Sequence, residues 1–320
     1  MPLGPLDPRI AALLEQFGVD GPPPATAPTV QEMRAGNRML SLAVAPDPPV
    51  SVGAVQDTSL AGVPVQIYRP FESARGGRVP TVLFIHGGGF VVGDLDTHDG
   101  ICRRLCRDAA AVVVSPDYRL APEHPFPLGY EDCLAVAHHV ADHLADFGGS
   151  HGPLAVAGDS AGGNLATGVA LAFRDEGRPL AAQLLAYPTT DLRSGIDYPS
   201  RTECATGYLL TTAEVENDMR LYLADAPAAA DRAPASPLLA ENLRGLAPAV
   251  IGCGELDPLR DEGLAYADAL AAAGVPVRKH RYAGLIHGFL NYDSHSRAVD
   301  AAVTELFTEL RELLQAASPR

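Results

Sequence analysis

The chain has 320 residues, 47% of them hydrophobic and 20% charged, with a formal net charge of −15. That length and composition suit a soluble globular protein with a large core, built as one big α/β domain or two smaller ones. The acidic balance speaks against nucleic acid or an anionic membrane as partner, and no apolar run reaches the roughly 18 residues of a membrane span.

Met1 to Asp7 shows no basic region followed by an apolar one, so no signal peptide is expected and the cytoplasm is the expected compartment. Arg9 to Val19 reads as a short helix, broken by Gly21-Pro22-Pro23-Pro24. Thr29 is placed to cap a second helix, Val30 to Ala43, with Glu32 completing a capping box. The β-branched stretches Val50–Val55 and Val63–Tyr68 read as an antiparallel entry to a sheet. Thr81-Val82-Leu83-Phe84-Ile85 is continuous and apolar, as a central buried strand should be, and it ends at His86-Gly87-Gly88-Gly89-Phe90. Asp96-Thr97 is placed to cap a helix reaching Ala109, and Ala111–Ser115 is the next buried strand. A proline-rich loop, a helix from Leu128 to Asp146 and a strand at Leu154–Ala157 follow.

That strand runs into Gly158-Asp159-Ser160-Ala161-Gly162, and an Ala/Leu-rich helix follows to Phe173. Gln183–Tyr187 is a further strand. The pattern then lapses from Thr189 to about Pro237, apart from a helix capped by Thr212. Strands at Ala249–Cys253 and Val277–Tyr282 alternate with helices at Leu259–Ala273 and Ser296–Leu314. Such alternation predicts a mainly parallel sheet covered by helices on both faces. The expected division is N-terminal cap helices over 1–48, a catalytic domain over 49–188 and 238–320, and an inserted helical cap over 189–237. An insertion there would overhang the carboxyl ends of the strands, where ligands bind.

Ser160 sits on a glycine-flanked turn from strand to helix, which exposes a nucleophile; a Cβ on the flanking glycines would clash. Gly148-Gly149-Ser150-His151-Gly152 matches the same pattern, but it joins a helix to a strand and reads as a loop. A serine nucleophile needs a base, an orienter for the base and donors for the oxyanion. Among ten histidines, His287 follows the final strand, at the same sheet edge as Ser160. His280 lies within that strand, and His139 with His143 reads as a solvated helix face. Asp257 is the favoured orienter with Glu255 next, although Asp257 before Pro258 also suits a helix cap. The amides of Gly88, Gly89 and Ala161 are the candidate oxyanion donors. Phe90, Tyr187, Tyr208, Leu209 and Leu210 are candidates for the pocket lining. Five scattered cysteines suggest no disulfide framework, and Cys102 with Cys106 reads as buried apolar groups. The only lysine, Lys279, has Pro276 three residues before it, which excludes a Ser-x-x-Lys nucleophile.

Taken together, His86-Gly87-Gly88-Gly89-Phe90, Tyr118-Arg119-Leu120-Ala121-Pro122-Glu123-His124, Gly158-Asp159-Ser160-Ala161-Gly162-Gly163-Asn164, Asp257-Pro258-Leu259 and His287-Gly288-Phe289 resemble the hormone-sensitive-lipase-like esterases. The resemblance implies the α/β-hydrolase fold, with a mostly parallel eight-stranded sheet and a helical cap. It implies carboxylic ester hydrolysis by Ser160, His287 and Asp257, with Gly88, Gly89 and Ala161 as the oxyanion hole. No cofactor or metal is implied; the partners are a small-molecule ester with short acyl chains and, as in many members, a second copy of the chain. An amidase, deacetylase or lactonase would use the same triad. A small-molecule receptor on this fold, like the plant gibberellin receptors, would have lost the histidine.

Overall fold

Successive residues of a strand point to opposite faces, and in the central strands both faces are buried. The computed structural model describes residues 3–18, 28–76, 78–148 and 152–317; the break at Gly21–Pro24 and the loop serine Ser150 lie outside them. Eight strands are found among the described residues: β1 (Ala54–Leu60), β2 (Val63–Arg69), β3 (Thr81–Ile85), β4 (Val112–Pro116), β5 (Ala155–Asp159), β6 (Gln183–Ala186), β7 (Ala249–Leu256) and β8 (Val277–Ile286). They lie in the order β1-β2-β4-β3-β5-β6-β7-β8. β2 is antiparallel to β1 and β4, and every other neighbouring pair is parallel.

The helices are α1 (Pro8–Gln16), α2 (Val30–Val44), α3 (Phe71–Ala74), α4 (Asp99–Asp108), α5 (Leu128–Asp142), α6 (Leu144–Phe147), α7 (Ala161–Asp175), α8 (Pro199–Glu203), α9 (Thr212–Tyr222), α10 (Arg260–Ala272) and α11 (Arg297–Ala317). In β3, Leu83 and Ile85 join a core with Val136 of α5, Val169 of α7 and Tyr266 of α10. Val82 and Phe84 join the opposite core with Leu105 of α4 and Leu306 of α11. A strand sandwiched in this way must be apolar at every position, which is why it reads as an unbroken run. Among the described residues no helix is long and apolar enough to cross a membrane.

Several elements depart from the sequence reading. The first strand was expected at Val50–Val55 but runs from Ala54 to Leu60, with Gln56, Asp57, Thr58 and Ser59 exposed. It is a sheet edge paired only with β2, so its residues need no apolar pattern. Thr97 does not cap α4; its hydroxyl takes the Asp94 amide at 2.9 Å and the helix starts after His98. Thr211, not Thr212, caps α9, because Glu214 stands at the third helical position after it and closes a capping box. The capping box at Thr29 and Glu32 is present as read. β8 continues past Tyr282 to Ile286, so His287 stands at its very end.

Two segments lie over the carboxyl ends of the parallel strands. α8, α9 and the 3-10 turns Pro227–Asp231 and Pro237–Leu239 fall between β6 and β7. Arg201 of α8 pairs with Glu262 of α10 at 2.6 Å, both buried. Ser200 N donates to Asp261 at 2.8 Å, and Arg260 reaches Glu203 at 2.7 Å. From the other side, Arg34 of α2 donates to the carbonyls of Val91 at 2.9 Å and Ala121 at 3.0 Å, and pairs with Glu123. Arg38 pairs with Asp94 and Asp96.

Candidate active site

β5 ends at Asp159, α7 begins at Ala161, and Ser160 makes the whole turn between them with φ 52° and ψ −120°. A side chain at positive φ is strained, and the packing around the turn enforces it. A Cβ on Gly158 would lie 2.3 Å from Gly162 O, and one on Gly162 would lie 2.0 Å from Ile85 O. Strand, helix and the neighbouring β3 approach so closely that only glycine fits. Ser160 N is held by Ala186 O of β6 at 2.9 Å.

His287 Nε2 lies 2.9 Å from Ser160 Oγ, and His287 Nδ1 lies 2.9 Å from Asp257 Oδ2. The serine hydroxyl donates to Nε2 when Nδ1 carries the ring proton and donates to the carboxylate. Asp257 is fully buried beyond β7, and its other oxygen accepts the Leu259 amide at 2.7 Å. Helix α10 starts only at Arg260, so this bond orients the carboxylate as much as it settles the chain entering the helix. Glu255, the other acid considered, accepts from Gly4 N and Gly284 N, each at 3.2 Å, and pairs with Arg281; it makes no bond to His287. His280 bonds Glu309 at 2.8 Å. His139 and His143 stack with ring centroids 4.5 Å apart, and no group of metal-binding side chains is found among the described residues. The five cysteines are buried and unpaired, and burial pushes the Cys102 and Cys106 thiols up, away from the reactive thiolate.

The glycine loop follows β3. Gly88 has φ 114° and Gly89 φ 58°, a region that favours glycine. Gly87 N donates to Asp159 Oδ1 at 2.8 Å, which ties the loop to the residue before Ser160. The amides of Gly88, Gly89 and Ala161 have no acceptor among the described residues. Burial works against ionisation of Asp159, but His98 beside it and the Gly87 amide outweigh burial and hold its carboxyl below the usual range. His86 is pushed down to about 4 by burial and by His98, so it is neutral and its Nδ1 donates to Gly87 O at 2.8 Å.

Ser160, His287, Gly88 and Gly89 border a cavity of about 410 Å³. Of the expected lining residues, Phe90, Leu209 and Leu210 border it, whereas Tyr187 and Tyr208 do not. Tyr187 is fully buried, with its ring 4.7 Å from His287 and 5.0 Å from Phe289, so it packs behind the histidine. Tyr208 packs against the core that holds α4 and α11. The sequence reading missed the contribution of α2 (Met33, Asn37, Leu40, Val44) and of α9 (Val215, Asp218, Met219). Their three- and four-residue spacing is a helix-face signal, but nothing local says what the face covers. Glu32, Asp159, Glu214 and Asp218 also border the cavity, and among the described residues no lysine or arginine does.

The chain matches the family described as alpha/beta hydrolase fold over residues 82–291. It is 42% identical over 319 residues to the carboxylic ester hydrolase LipN of Mycobacterium tuberculosis, covering 96% of this chain and 82% of that one. It is 38% identical over 292 residues to the carboxylesterase NlhH of the same organism, covering 90% and 89%. The crystallised hyperthermophilic esterase of the archaeon Pyrobaculum calidifontis superimposes with a TM-score of 0.88 at 37% identity, covering 98% of this chain and 99% of that one.

Proposed function

The chain belongs to the hormone-sensitive-lipase-like carboxylesterases of the α/β-hydrolase fold, and from that premise we propose that it cleaves short- to medium-chain esters through an acyl-enzyme on Ser160. The observation that carries the proposal is the hydrogen-bonded series Asp257–His287–Ser160, with 2.9 Å at each link. Ser160 Oγ attacks the ester carbonyl as its proton passes to His287 Nε2. Asp257 holds the ring in the required tautomer and stabilises the imidazolium. The carbonyl oxygen, now negative, takes the amides of Gly88, Gly89 and Ala161, which have no other acceptor among the described residues. Collapse expels the alcohol, protonated by His287. Water then repeats the sequence at the acyl carbonyl and releases the acid.

In this reading α1, α2 and the segment 189–237 form the cap that shapes the pocket. The apolar lining supports an aliphatic chain, and a volume of about 410 Å³ is at the lower end for small-ligand sites. The reduced, buried cysteines suit work in the cytoplasm, and the exposed Met39 and Leu42 on α2 support assembly as a homodimer.

The test is Ser160→Ala with p-nitrophenyl butyrate, alongside labelling by a fluorophosphonate. The wild type labels at Ser160 and turns over; the variant stays folded, does not label and loses at least about 10⁴-fold in kcat. Turnover by the variant close to wild type overturns the proposal. A non-catalytic receptor would not label in the wild type.

A further inference from the structure

One carboxylate in the cavity has no place in ester chemistry. Asp218, on α9, reaches across to the glycine loop, and its Oδ2 lies against Gly89: a Cβ there would be 1.9 Å from Oδ2 and 2.6 Å from Cγ. Its other oxygen, Oδ1, is buried without a hydrogen-bond partner among the described residues. On the facing helix α2, Asn37 Oδ1 is buried without a partner in the same way. Both residues border the cavity that holds Ser160 and His287. A buried acceptor left unbonded is costly, and both residues line one ligand space, so a donor on a ligand bound beside them would relieve that cost.

The charge of the cavity narrows the donor. Glu32, Glu214 and Asp218 add negative charge, Asp159 stands behind the serine, and among the described residues no lysine or arginine borders the space. A carboxylate on the substrate would meet the like charge of these side chains. An ammonium is attracted, and a hydroxyl satisfies the orphan acceptors without charge. Resting on the esterase reading above, we infer that Asp218 is a specificity residue that selects esters carrying a hydroxyl or ammonium group at a distance from the scissile bond, with Asn37 as the second acceptor. Burial, and then the neighbouring Glu214, push the Asp218 carboxyl up to about 7, so the group is available both as an acid and as a carboxylate near neutrality.

The test compares esters matched in length that end in methyl, hydroxyl, ammonium or carboxylate. One series carries the end group on the acyl chain (p-nitrophenyl heptanoate, 6-hydroxyhexanoate, 6-aminohexanoate and adipate), the other on the alcohol of a butyrate. The readout is the ratio of kcat/KM between two esters on one enzyme, which cancels any loss of active fraction. In at least one series the wild type at pH 8 prefers the hydroxyl or ammonium ester over the methyl ester by about tenfold, the scale of one net hydrogen bond, and disfavours the carboxylate. Asp218→Leu brings the preference to unity or reverses it. Asp218→Asn, which keeps an acceptor and the shape, retains the hydroxyl preference and loses the ammonium one. A wild type that favours the methyl ester in both series overturns the inference, as does an unchanged ratio in Asp218→Leu or an ammonium preference that survives in Asp218→Asn. Absence of all turnover in the wild type would instead defeat the esterase reading.

Discussion

Asp257 serves two geometries with its two oxygens, one on Leu259 N and one on His287 Nδ1. Asp257→Asn separates them. The amide oxygen still accepts from Leu259, but an NH₂ then faces Nδ1 and favours the wrong tautomer. We expect kcat for p-nitrophenyl butyrate to fall about 10⁴-fold while circular dichroism and melting stay close to wild type. Gly89 is likewise doubly constrained, by its φ of 58° and by the Asp218 carboxylate over its α-carbon. Gly89→Ala therefore displaces one oxyanion donor and Asp218 together, with kcat expected to drop about 10² to 10³-fold. Asp218 also links site to stability. Burial pushes its carboxyl up from the usual carboxylate range to about 7, so the native state holds a proton that the unfolded chain releases. That contribution is complete below about pH 4 and is lost as pH rises through 7. Glu214 on its own helix adds to the shift, and the other titratable groups bordering the same cavity are Glu32 on α2 and His287, Asp159, His98 and Tyr292 on the side of the serine. Asp218→Asn should gain in melting temperature relative to wild type between pH 5 and pH 8; a gain that shrinks over that range contradicts this assignment.

At the scale of elements, the strands and the long helices were legible because each carries its own signal. β3 is apolar throughout because both its faces are covered, and α2 announces itself with Thr29 and Glu32. β1 was misplaced because an edge strand need satisfy only one neighbour, and the cap of α9 was shifted because Thr211 and Thr212 look alike until Glu214 chooses between them. The segments over the site are held by polar anchors that no periodicity reveals. Removing one partner of the buried Arg201–Glu262 pair, as in Arg201→Met, should cost about 3 kcal/mol or more in urea denaturation. Arg34 fastens α2 to the Val91 carbonyl just beyond the glycine loop and to the Ala121 carbonyl in the loop after β4. Arg34→Ala should raise KM for p-nitrophenyl hexanoate more than it lowers kcat, and speed proteolytic cleavage before residue 46; equal effects on both constants argue against a binding role for α2.

Over the whole molecule, parallel strands end at one edge, and this edge collects every group of the proposed chemistry. β3 brings the glycine loop, β5 the serine, β7 the acid and β8 the histidine, although Ser160 and His287 are 127 residues apart. The sequence by itself determined the candidate groups and their order, because a strained serine turn, a glycine loop after a buried strand and a histidine after the last strand are each dictated by local residue chemistry. It also determined the class of fold, through the strand and helix alternation. Only the tertiary structure set Asp257 rather than Glu255 against His287, placed Tyr187 behind His287 rather than in the pocket wall, and brought α2 and α9 to one cavity. Those outcomes depend on distances between segments remote in sequence, and on which of two helix faces turns inward, and neither is written in any local pattern.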